Sequence, residues 1–211
     1  MRPLPSRLLA VTDRHGHARS LADTVQAALD GGVRWVWFRD RDLDPEARRS
    51  LGAGIATRLR AAGGFLTVGG DIALARALGA DGVHLGGGTG PDWVSAARAA
   101  LGPDALIGIS AHAPVEVEAA ARAGADYVTL SPIFLTASKP GYGPALGPEG
   151  IAAARRAGLP IVALGGVTPE RIPLCRDAGA AGVAVMGALM HAAEPAAAAR
   201  RILAAWEGCE P

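Results

Sequence analysis

Residues 107–139 read IGISAHAPVEVEAAARAGADYVTLSPIFLTASK, and the order of patterns within them decides the fold. An apolar run ending in Ser110-Ala111-His112 has the character of a strand. From Pro114 to Ala123 the apolar spacing is that of an amphipathic helix, which Gly124 stops. A second β-rich run follows at 127–131. It feeds a long Gly- and Pro-rich stretch, 132–147, that carries Thr136, Ser138 and Lys139. Loops of that length in a compact domain are usually functional or disordered. Two consecutive strands thus end in an imidazole and in a Thr-x-Ser-Lys loop suited to an anion.

The same alternation runs outward in both directions. Strands are expected at 8–12, 33–38, 65–68, 82–85, 106–110, 127–131, 160–164 and 183–186. Helical patterns lie between them, with Ser20 and Asp44 as N-caps and Pro45 at a first helical position. The last helix is expected to run unbroken over 188–206. Near-continuous apolar strands such as Val183-Ala184-Val185 point to burial on both faces and parallel pairing. A repeated phrase, Gly79-Ala80-Asp81-Gly82-Val83, Gly124-Ala125-Asp126-Tyr127-Val128 and Gly179-Ala180-Ala181-Gly182-Val183, marks three helix-to-strand turns. Eight strand–helix units in 211 residues, undivided by a linker, fit an α/β fold of one (β/α)8 TIM-barrel domain spanning 1–211 better than an open doubly wound sheet. Trp35 and Trp37 are expected to split, one toward the barrel interior and one toward the helices.

Composition narrows the function classes. Half of the residues are apolar and the formal net charge is +1 without basic or acidic runs, so neither nucleic acid nor an anionic membrane is favoured as partner. No apolar run reaches the roughly 18 residues of a membrane span, and no signal-peptide core is evident. Two cysteines, Cys175 and Cys209, do not form a disulfide framework, so a cytoplasmic protein is expected.

Barrel enzymes place their chemistry on the loops that follow the strands. Those positions here include Arg39-Asp40-Arg41, Gly69-Gly70-Asp71, Gly86-Gly87-Gly88, His112, the 131–139 stretch, Gly165-Gly166 and Met186-Gly187. Loops after strands seven and eight commonly cradle phosphate through backbone N–H groups. Gly165, Gly166, Met186 and Gly187 are therefore the candidate phosphate site. His84 either walls the site or packs in the core, and Cys175 fills core space. His15, His17 and His191 are expected in solvent, and Arg41 as an ion-pair partner of Asp40 or Asp42.

With these residues assembled, the sequence resembles the thiamine phosphate synthase superfamily over nearly its whole length. The matching stretches are AVTD at 10–13, GGVRWVWFRDRD at 31–42, LARALGADGVHLG at 74–86 and IGISAHA at 107–113. GADYVTLSPIFLTASK at 124–139, PIVALGGVTPE at 160–170 and AGAAGVAVMGAL at 178–189 complete them. The superfamily has a synthase branch, which joins a pyrimidine diphosphate to a thiazole phosphate with magnesium. Its TenI-type branch resembles thiazole tautomerases that aromatise a carboxythiazole phosphate without metal.

Departures from the synthase pattern favour the second branch. Where the synthase carries Asn-Asp after strand three, this chain has Gly69-Gly70, and its Gly-Gln-x-Asp after strand four is Gly86-Gly87-Gly88-Thr89. The missing aspartates are the implied magnesium ligands, and glycine offers a hard cation no side-chain oxygen. Asp71 is one residue displaced and would not restore the pair alone. Trp37 replaces the glutamine that would touch the pyrimidine. The resemblance implies Thr136, Ser138 and Lys139 on the substrate, Gly166, Met186 and Gly187 on its phosphate, and His112 as proton shuttle; Arg39, which follows a strand, is expected on a substrate anion. An imidazole can take a ring proton and return it to an exocyclic carbon. Many synthases also carry this histidine, so it does not separate the branches. The expectation is a cofactor-free tautomerase binding a small thiazole phosphate, magnesium entering only if the chain is a synthase with an altered metal site. A non-catalytic phosphate-binding regulator is the third possibility, and a homo-oligomer, dimer or higher, is compatible with each.

Overall fold

The structure is a computed structural model that describes residues 2–15, 19–136 and 144–208. Eight parallel strands close into a barrel in sequence order, β1 pairing with both β2 and β8. They are β1 (Leu8–Val11), β2 (Trp35–Phe38), β3 (Phe65–Gly69), β4 (Gly82–Leu85), β5 (Leu106–Ala111), β6 (Tyr127–Leu130), β7 (Ile161–Leu164) and β8 (Gly182–Val185). Around them lie α1 (Leu21–Asp30), α2 (Pro45–Ala61), α3 (Ile72–Leu78), α4 (Pro91–Leu101), α5 (Pro114–Arg122), α6 (Gly147–Ala154) and α7 (Ile172–Asp177). Two further helices, α8 (Gly187–Met190) and α9 (Pro195–Glu207), close the chain. The (β/α)8 TIM barrel expected from the alternation is the observed fold.

Local chemistry accounts for the starts of the helices. The Ser20 side chain accepts from the Asp23 N–H, and Asp44 from those of Glu46 and Ala47. Each such cap satisfies backbone donors that would otherwise be orphaned, contributing about 1 kcal/mol. The repeated Gly-Ala-Asp phrase does more than turn the chain. Asp81 accepts from the Leu66 N–H and Asp126 from the Ile107 N–H, both at 2.8 Å. In both cases the carboxylate before one strand ties down the start of its neighbour. The third copy has Ala181 instead, and there Arg7 donates to the Ala181 carbonyl at 3.0 Å.

Two expectations need correction. Trp35 and Trp37 are two residues apart, and strand periodicity of two puts both on one face. Both lie in the barrel interior with Leu9, Val11, Leu106, Tyr127, Val162 and Ala184. The Trp35 and Tyr127 rings meet edge to face, with centroids 4.9 Å apart. Gly108 makes room for them, because a Cβ there would collide with the Tyr127 ring. The last helix is not continuous either. Pro195 has no N–H to donate and biases its predecessor away from helix, so Glu194 is non-helical (φ −124°, ψ 82°) and α9 restarts at the proline.

Outside the barrel wall, the second apolar layer packs strand residues such as Phe38, Val68 and Ile107 against Val25, Ile55, Val117 and Ile202 of the helices. Cys175 is fully buried there, as expected of a core filler. Among the described residues, no helix is long and apolar enough to cross a membrane.

Candidate active site

The C-terminal ends of the strands form a rim on which three groups of residues assemble. The first surrounds His112, which follows β5. Its backbone N–H donates to Glu116 Oε2 at 2.7 Å, which holds the turn into α5. Its Nδ1 lies 2.8 Å from the Ser131 carbonyl oxygen. A carbonyl only accepts, so Nδ1 carries the hydrogen and the neutral ring's lone pair is at Nε2. That edge faces the loop after β4: a Cβ on Gly87 would stand 3.8 Å from Nε2. The ring is thus oriented, tautomer included, by the end of β6.

The second group lines a cavity of about 560 Å³ over β7 and β8. Gly165, Gly166, Met186 and Gly187 border it together with Thr136. The residues after β6 reach it because they run alongside the end of β7, Ile133 and Phe134 donating to the Leu164 and Gly165 carbonyls at 2.9 Å. Gly166 has a positive φ of 62°, and a Cβ there would meet the Leu135 carbonyl and stand 2.8 Å from Phe134 Cβ. Glycine is required on both counts. Ser138 and Lys139 lie outside the described residues, as does His17.

Two residues of this cavity had been overlooked. Arg171 donates to the Gly166 carbonyl at 2.8 Å, and its guanidinium stands over the Phe134 ring at 4.9 Å. His191 is exposed, as expected, but it also borders the cavity and pairs through Nε2 with Asp13 at 3.1 Å. The position of Arg171, seven residues past the end of β7, gave no signal of its own. For His191 the break before Pro195 was the missed clue.

The third group sits between the loops after β1 and β2, around a smaller cavity of about 220 Å³ bordered by Thr12, Asp13, Arg39 and Arg41 among others. Thr12 Oγ1 donates to Asp40 and accepts from the Arg39 N–H at 2.9 Å, stitching the two loops together. Arg39 Nη1 approaches Met186 Sδ at 3.8 Å and so reaches toward the larger cavity. Arg41 does not pair with Asp40 or Asp42, contrary to expectation. Asp40 is occupied by Thr12 and the Arg14 N–H, and Asp42 by Arg14 and by His15 at 3.0 Å. His15, too, is therefore partnered, although exposed. A larger depression, about 620 Å³, runs along the exposed face of α2 and contains no strand-end residue, so the chemistry belongs to the rim.

The donor set of this rim does not fit a divalent cation. A Cβ on Gly69 would lie 2.8 Å from Trp37 Nε1, and one on Gly70, where φ is 66°, 2.7 Å from Arg41 Nη2. An indole and a guanidinium fill the space that side chains at 69 and 70 would need. Asp71 is committed elsewhere: it caps α3 through the Leu74 N–H and pairs with Arg48 at 2.9 Å. Thr89 donates to the Gly86 carbonyl at 2.6 Å. Among the described residues, no group of three or more His, Cys, Asp or Glu side chains is arranged to hold a metal ion.

Beneath the rim, His84 is a core residue. Its Nδ1 is 2.9 Å from the Tyr127 hydroxyl, and its Nε2 is 3.1 Å from Ser110 Oγ and from Thr129 Oγ1. Trp37 packs over it with ring centroids 3.9 Å apart. Burial, and secondarily the charge of Arg41, lower its pKa to about 3, so the ring is neutral.

Comparison with known proteins places this geometry. Residues 8–189 match the model of a family described as thiamine monophosphate synthase. A thiamine-phosphate synthase of Natronomonas pharaonis is 41% identical over 201 residues, covering 93% of this chain and 92% of that protein. A thiamine biosynthesis bifunctional protein ThiM/ThiE of Symbiobacterium thermophilum is 43% identical over 86% of this chain, which spans only 38% of that longer protein. Among solved structures, thiamine phosphate pyrophosphorylase from Pyrococcus furiosus superposes with a TM-score of 0.84 at 26% identity, covering 96% of both chains. These relatives carry synthase-type names, and the comparisons do not set apart a tautomerase branch.

Proposed function

This chain belongs to the thiamine monophosphate synthase family, and from that premise we propose that it is a metal-independent tautomerase acting on a carboxythiazole phosphate. The observation that carries this reading is the pair Gly69-Gly70, whose side-chain space is taken by Trp37 and Arg41, so that no metal-binding aspartate stands at 70. A proton transfer needs no divalent cation; a departing diphosphate does need its charge neutralised.

In this reading the phosphate end lies in the cavity over β7 and β8, against the backbone of Gly165, Gly166, Met186 and Gly187, with Thr136 at its edge. Ser138, Lys139 and Arg39 complete the substrate contacts. His112, with its hydrogen at Nδ1, presents Nε2 as the base. Nε2 takes the proton from the ring carbon, and the electrons of that C–H bond form a ring double bond. That new bond is to the ring nitrogen; the existing ring C=N pair shifts to the ring carbon that bears the exocyclic double bond, and the exocyclic π pair takes the proton back from Nε2 at the exocyclic carbon. No proton is gained or lost overall, and the product is aromatic.

A thiamine-phosphate synthase reaction is the second reading, favoured by the names of relatives 41–43% identical to this chain. In that case Arg39 and Arg41 would have to neutralise the diphosphate. His112→Ala tests the first reading. Turnover of the dihydrothiazole should vanish while affinity for a thiazole phosphate stays within a few fold. Joint loss of turnover and binding would make His112 a structural residue.

A further inference from the structure

The turn from β5 into α5 lacks the usual means of starting a helix. Ala113, the residue before the first helical turn, has no side-chain acceptor, and Pro114 has no N–H. Glu116, within that first turn, reaches back past both. Its Oε2 accepts from the His112 N–H at 2.7 Å. A glutamate at this helical position ordinarily returns to the cap residue itself. Here it returns one residue earlier, to the residue that carries the imidazole. The ring has a second anchor on another element, Nδ1 donating to the Ser131 carbonyl at 2.8 Å. Ser131 is in turn fixed to the end of β5, its N–H donating to the Ala111 carbonyl at 3.0 Å. A hydrogen bond through one ring nitrogen leaves an imidazole able to pivot about it, and holding the backbone as well removes that freedom. The edge so aimed, Nε2, faces Gly87, which has no side chain to buttress the ring; a Cβ there would stand 3.8 Å away.

We propose that Glu116 is a positioning residue: by holding the His112 backbone it sets the direction in which Nε2 meets the substrate. The hydrogen bond is charge-assisted and Glu116 is partly buried, so water competes for it less than at an exposed helix end. Proton transfer depends steeply on how base and carbon approach, and a misplacement of about 1 Å costs about 100-fold in rate. A first-turn glutamate has two separable properties. Its charge favours the helix N-terminus from any position in that turn. Its reach, one methylene longer than that of aspartate, is what brings an oxygen to the His112 N–H. Glutamine keeps the reach and an acceptor oxygen without the charge, whereas aspartate keeps the charge and shortens the reach. Orientation of the ring is independent of what the chain catalyses. Only its use in proton transfer rests on the tautomerase reading.

Glu116→Gln, Glu116→Asp and Glu116→Ala test this in the full chain, with folding checked by circular dichroism and urea unfolding. The ring is read by NMR of protein carrying isotopically labelled histidine, the spectrum of His112→Ala identifying its signals. In the wild type the Nδ1–H signal should be protected from exchange with solvent. It should exchange at least about tenfold faster in Glu116→Ala and Glu116→Asp, and close to the wild-type rate in Glu116→Gln. Aromatisation of the dihydro carboxythiazole phosphate should follow the same order. In Glu116→Ala and Glu116→Asp kcat should fall about 10- to 100-fold with KM within a few fold, and Glu116→Gln should retain most of it. Should Glu116→Ala not fold, the contrast between Glu116→Gln and Glu116→Asp still decides. Unchanged His112 signals in every variant would overturn the proposal. So would a normal Glu116→Asp beside a defective Glu116→Gln, which would assign the role to charge. Lower stability with the ring and kcat untouched would leave a helix cap alone and would also overturn it. A wild type that aromatises nothing yet shows the expected NMR contrast would retain the positioning and discard the tautomerase; turnover indifferent to all three substitutions would do the reverse.

Discussion

Acid should weaken this fold through His84, by an amount that follows from its surroundings. The ring is fully buried and hydrogen-bonded to Tyr127, Ser110 and Thr129. Its pKa falls from an ordinary 6.5 to about 3. A depressed imidazole pKa means that the unfolded chain binds a proton the folded chain refuses. Stability from this residue is therefore complete above 6.5 and is lost progressively as the pH falls from there toward 3. At about 1.36 kcal/mol per pH unit, moving from pH 7 to pH 5 should cost about 2 kcal/mol from His84 alone. The assay is urea unfolding of the wild type and of His84→Gln at both pH values. Glutamine retains hydrogen-bonding capacity but takes up no proton, so the variant is less stable at pH 7 yet loses about 2 kcal/mol less on acidification. Subtracting one protein's loss from the other's removes the titration of the remaining groups. An equal loss in both would refute the neutral, buried His84.

Other substitutions probe the rim. Gly69→Ala brings a Cβ to 2.8 Å from Trp37 Nε1 and should destabilise by about 1–3 kcal/mol, measured by denaturant unfolding. In a Trp37→Leu background that cost should shrink, giving a coupling energy above about 0.5 kcal/mol in the double-mutant cycle; additive effects would deny the contact. Gly166→Ala should lose roughly 1–2 kcal/mol to left-handed backbone strain alone. It should also bind a thiazole phosphate at least about tenfold more weakly, a loss of about 1.4 kcal/mol, because the Leu135 and Phe134 backbone must move. Unchanged affinity would take the phosphate away from this cavity.

The barrel was legible because its signals are local. Apolar runs recur in all eight strands, and the Ser20 and Asp44 caps and helix-ending glycines such as Gly79 are each read within a few residues. Site positions at the strand ends followed from the fold rule alone. What escaped depends on which strands are neighbours. Asp81 and Asp126 looked like turn residues, and their role as acceptors for the next strand's start needs the pairing register. Arg171 enters the cavity only because Phe134 and the Gly166 carbonyl come to meet it. The absence of carboxylates at Gly70 and Thr89 was visible, but not that Trp37 and Arg41 occupy the side-chain space of Gly69 and Gly70. The error over Trp35 and Trp37 had no such excuse, since a period of two settles it without coordinates.

The most direct test of a metal-free proton transfer is a paired assay on one preparation. The dihydro carboxythiazole phosphate is supplied in EDTA beside an enzyme-free control. In parallel, the same protein receives pyrimidine diphosphate, thiazole phosphate and magnesium. The account predicts enzyme-dependent aromatisation in EDTA and no thiamine phosphate in the second reaction. Magnesium-dependent thiamine phosphate without aromatisation would contradict it, and would mean that the chain performs the reaction its relatives are named for on a rim with glycine at 69 and 70 and threonine at 89.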